Sequence, residues 1–463
     1  MSAAETDARA RHTAGVRRLI ASYREIPPDA TVRLAKPTSN LFRARAKTTA
    51  KGLDVSGLTS VIAVDPEART ADVAGMCTYE DLVAATLPYG LSPLVVPQLK
   101  TITLGGAVTG LGIESASFRN GLPHESVLEM DILTGTGDVV TASADQHADL
   151  FRSFPNSYGT LGYSVRIKIE LEPVKPFVAL RHLRFDSLAD LVAKMERIIE
   201  TGGHDGTPVD YLDGVVFSAG ESYLTLGFRS ATAGPVSDYT GQQIYYRSIQ
   251  HEDGEKHDRL TIHDYLWRWD TDWFWCSRAF GAQNPRIRRF WPRRYRRSSF
   301  YWKLIGYDQR FDIADRIEKR SVVRPDTPLR ERVVQDVEVP IGRVTEFLDW
   351  FLANVPIEPI WLCPLRLRDA GGWPLYPIRP HHTYVNVGFW SSVPAGPEEG
   401  HTNKLIERKV SKLDGHKSLY SDAYYSAEEF DELYGGETYK TVKKTYDPDS
   451  RLLNLYAKAV QRR

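Results

Sequence analysis

Cysteine is scarce in this chain of 463 residues, and net charge is absent. The three cysteines, Cys77, Cys276 and Cys363, lie far apart and are odd in number, which fits reduced thiols and argues against a disulfide scaffold or a zinc site. The 59 Lys and Arg cancel the 59 Asp and Glu, which excludes nucleic-acid binding across the whole surface. No window approaches the roughly 18–20 apolar residues needed to cross a bilayer, so any membrane contact would be peripheral. The opening MSAAETDARARHTAGVRRLI mixes acids with bases and holds no signal-peptide core, so a cytoplasmic location is expected. Walker A, HExxH and GxSxG motifs are missing, which removes support for kinase and hydrolase chemistry. No strand leads into GxGxxG within a βαβ unit, so a Rossmann dinucleotide site is disfavoured.

What is present describes a globular α+β protein, 42% hydrophobic and 25% charged, of two or three domains. Residues 10–25 predict an amphipathic helix stopped by Pro27 and Pro28. From there to about 175, β-branched runs such as SVIAVD, TADVAG, VLEMDIL and SVRIKIELEP alternate with helical stretches such as Tyr79–Leu87. The expected division is a first domain over 1–175, a second α+β unit over 176–415, and a C-terminal segment over 416–463 that completes the site. Within the second unit, residues 264–302 hold a run of tryptophans beside clustered arginines. The tail ETYKTVKKTYDPDSRLLNLYAKAV reads as helix.

Glycines cluster in TLGGAVTGLGIES. Gly105, Gly106, Gly110 and Gly112 allow backbone to approach a pyrophosphate and a flat ring, and Thr103, Ser115 and Ser117 add donors. Taken alone, the cluster is equally compatible with tight turns.

The order of the blocks resembles the flavin domain of the vanillyl-alcohol-oxidase family. The likeness runs through LAKPTSNLF (34–42), LDVSGLTSVIAVDPEARTADVAGMCTYEDL (53–82), TLGGAVTGLGIES (103–115), FRNGLPHESVLEMDILTGTGDVV (118–140) and DLFRSFPNSYGTLGYSVRIKIELEP (149–173). The resemblance implies a PCMH-type FAD-binding domain followed by an α+β substrate, or cap, domain. Carried over by position, it implies FAD contacts at Pro37, Thr38, Ser39, Asn40, Thr103, Gly105, Gly106, Gly110, Ser115, Ser117, Gly121, His124, Gly159, Gly162 and Val165. Many relatives attach FAD through a histidine in the first loop. Residues 31–60 contain none, so noncovalent FAD is expected.

The rest of the chain is similar to the branch containing the Δ24-sterol reductases, through IHDYLWRWDTDWFW, VVQDVEVPI, PIEPIWLCPLRL and LYSDAYYSAEEFDELYGGETYKTVKKTY. A membrane helix usual in the eukaryotic sterol enzymes has no counterpart here, which points away from sterols. A closer resemblance is to actinobacterial flavoproteins that reduce a 10-methylene fatty-acyl chain to the 10-methyl (tuberculostearic-type) chain, with NADPH as the implied donor. An isolated alkene needs an acid, an apolar slot and cation stabilisation. Candidate acids are His381, His382, Tyr384, Tyr420, Asp422, Tyr424 and Tyr425, with Tyr425 favoured. Glu114 and Arg119 are a further candidate pair, and Trp361 offers an aromatic face; any of these is also compatible with a packing role. The Trp/Arg segment suits the phospholipid surface of the plasma membrane's inner face, or else an aromatic core with a solvated basic edge or a subunit contact. Competing functions are a sterol-reductase-like activity, a flavin oxidase or dehydrogenase of an alcohol, and a non-catalytic flavin-bound partner of a lipid methyltransferase.

Overall fold

Alternation builds the first sheet. In Tyr163–Pro173 the side chains of Val165, Ile167, Ile169 and Leu171 are buried, while Arg166, Lys168 and Glu170 lie on the opposite face. The computed structural model describes residues 3–36, 42, 51–311 and 329–462, with no side-chain description for 3–4 and 305–311. Among these, the strand pairs antiparallel with Thr70–Ala74 on one side and Val127–Leu133 on the other. Val61–Asp65 and Val139–Ser143 extend the sheet outward, and Leu91–Pro93 pairs with the strand's far end. Arg166 ties three strands together through Asp72, Glu129 and Asp131. Helix Leu104–Thr109 packs on the central strand, and the N-terminal helix covers Ala3–Arg24.

An eight-stranded antiparallel sheet follows, in the order Glu255–Thr261, Phe177–Phe185, Glu221–Ser230, Tyr211–Ser218, Ile360–Leu365, Tyr384–Pro394, Arg330–Pro340 and His416–Lys417. Helix Leu188–Thr201 starts at Ser187, whose hydroxyl accepts from the Asp190 N–H, and ends at Gly202 with φ +66°. Its Leu188, Leu191, Val192, Met195, Ile198 and Ile199 form one apolar face. With helices Val344–Asn354 and His401–Lys412 it shares an apolar core with one face of the sheet. The other face, carrying Val215, Tyr223, Trp361 and Cys363, joins Val73, Met130 and Ile167 of the first sheet in one continuous core. All six residues of Ile360–Leu365 are buried as a result.

Two expectations change. The tail is two helices, Gly436–Tyr446 and Leu455–Ala459, because Asp447 precedes Pro448 and takes an extended φ of −149° that ends the first helix. Four tryptophans of the Trp/Arg segment, Trp267, Trp269, Trp273 and Trp275, are core residues, so they cannot form an interfacial belt. Arg288 and Arg296 are buried as well. Arg288 pairs with Asp272 at 2.7 Å, Arg296 caps backbone carbonyls of Thr240 and Trp291, and Arg297 reaches Glu80 at 2.6 Å. No helix among the described residues is long and apolar enough to cross a membrane.

The tail is clamped to the turn that precedes strand Tyr163–Pro173. Lys443 Nζ donates to the Thr160 carbonyl at 2.7 Å and the Leu452 carbonyl at 2.9 Å, and pairs with Asp447, which also accepts from the Arg451 and Leu452 amides. Lys443→Met leaves the buried Asp447 carboxylate without its cation and is expected to lower unfolding free energy by roughly 3 kcal/mol, read from the urea midpoint.

Candidate functional site

Between the two sheets lies a cavity of about 910 Å³. One wall is the glycine segment. Helix Leu104–Thr109 begins at Thr103, whose hydroxyl accepts from the Gly106 N–H at 3.1 Å. A Cβ on Gly105 would collide with Ser164 and come within 2.5 Å of the Gly75 carbonyl, so glycine is required there for the helix to close on the strands behind it. At Gly106 a Cβ would lie 2.8 Å from the capping Thr103 hydroxyl. The end of the helix is held by Asn156, whose amide donates to the Gly110 carbonyl at 2.7 Å, and by the Tyr158 N–H to the Thr109 carbonyl at 2.6 Å.

The cavity lining is mixed in chemistry. Arg33, Lys36 and Lys458 contribute to it together with Ala30, Thr31, Val32 and Leu34, and Lys458 Nζ donates to the Tyr158 carbonyl at 2.5 Å. Elsewhere the wall is aromatic. Phe274 lies 4.6 Å from Trp390 and 5.5 Å from Trp361, centre to centre, and Phe42 lies 5.9 Å from Tyr420.

Set into that aromatic wall is Asp336, on strand Arg330–Pro340. Asn386 donates to its Oδ1 at 3.1 Å, Tyr420 shares a hydrogen bond with it, and the Trp390 indole donates to the Tyr420 hydroxyl at 2.9 Å. Removal from water pushes its carboxyl up to about 7, with no cation among the described residues offsetting the shift. Asp336 faces Gly388 in the ladder, where a Cβ would lie 2.5 Å from Oδ1 and 2.7 Å from the Trp390 ring. That glycine makes the room in which the acid and the indole meet.

Behind the aromatic wall Arg268, with no side-chain exposure, pairs with Glu114 at 3.0 Å and Asp213 at 2.9 Å. The indoles of Trp269 and Trp361 both donate to Asp213 at 3.3 Å.

Of the residues expected from sequence, Thr103, Gly105, Gly106, Gly110 and Gly159 line the cavity. Pro37, Thr38, Ser39 and Asn40 lie outside the described residues. Ser115, Ser117, Gly121, His124, Gly162 and Val165 are not on the cavity wall. Ser115 bonds the Tyr265 hydroxyl at 2.8 Å, Ser117 accepts from the Glu114 N–H at 3.1 Å, and Gly121 ends a helical turn at φ +69°. Gly162, with φ +143°, packs on Ile132 and Leu133, and Val165 joins the core around Leu133. His124 stands edge-on to Trp373 at 4.5 Å, and burial pushes its imidazole down to about 3.

Tyr425, Tyr384, His382, Asp422 and Glu114, all among the expected acids, are also off the cavity wall. Tyr425 packs on Tyr434 at 5.8 Å, the Tyr384 hydroxyl accepts from the Arg379 N–H at 3.2 Å, and His382 is exposed in a turn. Asp422 pairs with Arg332 at 3.3 Å, and Glu114 is committed to Arg268. Of the wider candidate set, Tyr420 and Trp361 do line the cavity. Asp336 was missed because VVQDVEVP reads simply as a strand. The available signal was an Asp and a Glu inside a valine run, a pattern that puts carboxyls beside apolar packing.

Residues 9–143 match the FAD binding domain family. The chain is 25% identical to the delta(24)-sterol reductase of Rattus norvegicus over 440 residues, 91% of this chain and 80% of that protein. Its identity to the Homo sapiens delta(24)-sterol reductase is 25% over 438 residues, with the same shares covered. Cytokinin dehydrogenase 2 of Oryza sativa subsp. japonica is 31% identical over 160 residues, 34% of this chain and 28% of that protein. The cavity fits FAD. Its basic side chains suit a diphosphate, its aromatic wall suits a ring system, and the Trp302 indole N–H on its lining is buried without a hydrogen-bond partner among the described residues.

Gly106→Val is expected to abolish flavin absorbance in folded protein, because the branched Cβ displaces the Thr103 cap and the backbone that lines the cavity. Full flavin occupancy in the variant would take Gly106 out of the site.

Proposed function

We propose that this FAD-binding oxidoreductase, related to the delta(24)-sterol reductases, reduces an isolated carbon–carbon double bond in a lipid, and that its substrate is a 10-methylene acyl chain converted to the 10-methyl chain. The observation that carries this reading is a carboxylic acid, Asp336, set into the aromatic wall of the cavity and hydrogen-bonded by Asn386, with burial raising its carboxyl toward the protonated form. An unactivated alkene has no carbonyl to accept hydride, so a proton must arrive with or before it. Bound FAD supplies the hydride.

The chain's own residues account for the remainder. Asp336 gives its proton to the terminal CH₂, which places positive charge on the tertiary carbon. Tyr420 and Asn386 fix the carboxyl by hydrogen bonds, and Tyr420 is in turn fixed by Trp390. The faces of Phe274, Trp361 and Trp390 stabilise the cation and exclude water that would trap it. Arg33, Lys36 and Lys458 would hold the cofactor's diphosphate, without a covalent link, since residues 31–60 lack histidine. Family resemblance supports NADPH as the reductant.

In anaerobic titration, NADPH is expected to bleach the flavin, and a methylene lipid to restore its colour. An alcohol oxidase would be reoxidised by O₂ and not by the alkene, and a non-catalytic partner by neither route. Asp336→Asn should retain bleaching by NADPH while slowing reoxidation by the alkene by about 10²-fold or more. Because the protonated carboxyl is the active form, wild-type alkene reduction should decline as pH rises through about 7. Turnover in D₂O should place deuterium in the new methyl group. Unchanged alkene reduction in Asp336→Asn would return this carboxyl to a structural role.

A further inference from the structure

We infer that the outer face of residues 285–294 docks on a membrane surface bearing anionic phospholipid headgroups, an inference that rests on the lipid reading of the substrate. Helix Pro285–Phe290, capped by the Asn284 side chain, turns Arg288 inward to Asp272 and the Gly241 and Gln243 carbonyls. That anchorage fixes which residues face out. Phe290 is 83% exposed and Ile287 is 44% exposed. Arg286, Arg289, Arg293 and Arg294 are exposed around them.

Two physical facts choose the occupant. A largely exposed phenylalanine gains little from packing on the described residues, whereas the headgroup–acyl boundary would take its ring out of water. The cations beside it are mostly uncompensated. Arg293 pairs with Asp238 at 3.2 Å and Arg294 lies over the Tyr295 ring, but Arg286, Arg289 and Arg294 have no carboxylate partner among the described residues. In a chain with no net charge this is a local excess of positive charge, complementary to an anionic surface. The docking face is also joined to the cavity. Trp291 and Phe300 pack in a cluster with Phe42, Leu99 and Trp273, and those three line the cavity wall. A bilayer held there would lie beside the space that receives an acyl chain.

The test uses the flavin-loaded full chain, sedimented with vesicles of phosphatidylglycerol and phosphatidylcholine or of phosphatidylcholine alone. Wild type is expected to bind the anionic vesicles far better. Each arginine contributes roughly fivefold, so Arg286→Gln, Arg289→Gln, Arg293→Gln and Arg294→Gln combined should weaken binding at least about a hundredfold. Phe290→Ser should weaken it on either vesicle. Retained flavin absorbance shows that the variants are folded, since Arg288 and Arg296 are untouched. Equal binding by wild type and variants, or equal binding to both vesicle types, overturns the proposal. So does a wild-type dimer that Phe290→Ser makes monomeric without vesicle binding, which would assign the face to a second copy of the chain. With detergent-dispersed methylene lipid the variants should match wild type, whereas on anionic vesicles they should be slower. If no alkene is reduced in either medium while vesicle binding still follows the arginines, the substrate reading fails and the docking face stands.

Discussion

One buried guanidinium holds the two halves of this protein in register. Arg268 comes from the segment after the strand Glu255–Thr261, yet it binds Glu114 of the glycine segment and Asp213 of the larger sheet. Burial raises the Glu114 carboxyl while Arg268 opposes the shift, so the group stays together only as a whole. Removing Arg268 would leave two carboxyls away from water without their cation, a penalty far above that of losing an exposed ion pair. Asp213 then accepts from two indoles, and one of them, Trp361, forms part of the cavity wall. The orientation of the aromatic surface is thus set by a charge balance lying behind it.

Much of the fold was legible because periodicity reports burial directly. The runs SVRIKIELEP and LADLVAKMERIIE became a central strand and an amphipathic helix close to the expected positions. The tail was misread as one helix because its apolar spacing continues across Pro448, which interrupts the backbone without interrupting the pattern. The Trp/Arg segment misled in a different way. Composition showed tryptophan beside arginine, but not that Asp272 sits where it draws Arg288 inside and leaves Phe290 outside. Charge partners separated by many residues are set by tertiary packing, and a linear reading does not contain them.

The site divides along the same line. Local backbone demands made the glycine helix recognisable: Gly105 and Gly106 make room for Ser164, Gly75 and Thr103 while lining the cavity. The carboxyl in the cavity wall was hidden because tyrosines and histidines near the tail draw the eye before an aspartate within a valine strand. Asp336 acquires its character only from its surroundings: Gly388 across the ladder, Asn386 beside it and an aromatic wall that replaces water. No residue in VVQDVEVP encodes that environment by itself.

The cavity wall draws on positions as distant as Ala30 and Lys458. Its assembly therefore depends on contacts between nearly the whole span of the described chain, the kind of long-range closure that folds late because loop entropy must be overcome first. A fragment ending before the tail helices could form the first sheet and the glycine helix, yet it would lack Leu453 and Lys458 from the wall. Cofactor retention in this protein is accordingly a report on completed folding: yellow colour in a purified preparation marks molecules whose two ends have met.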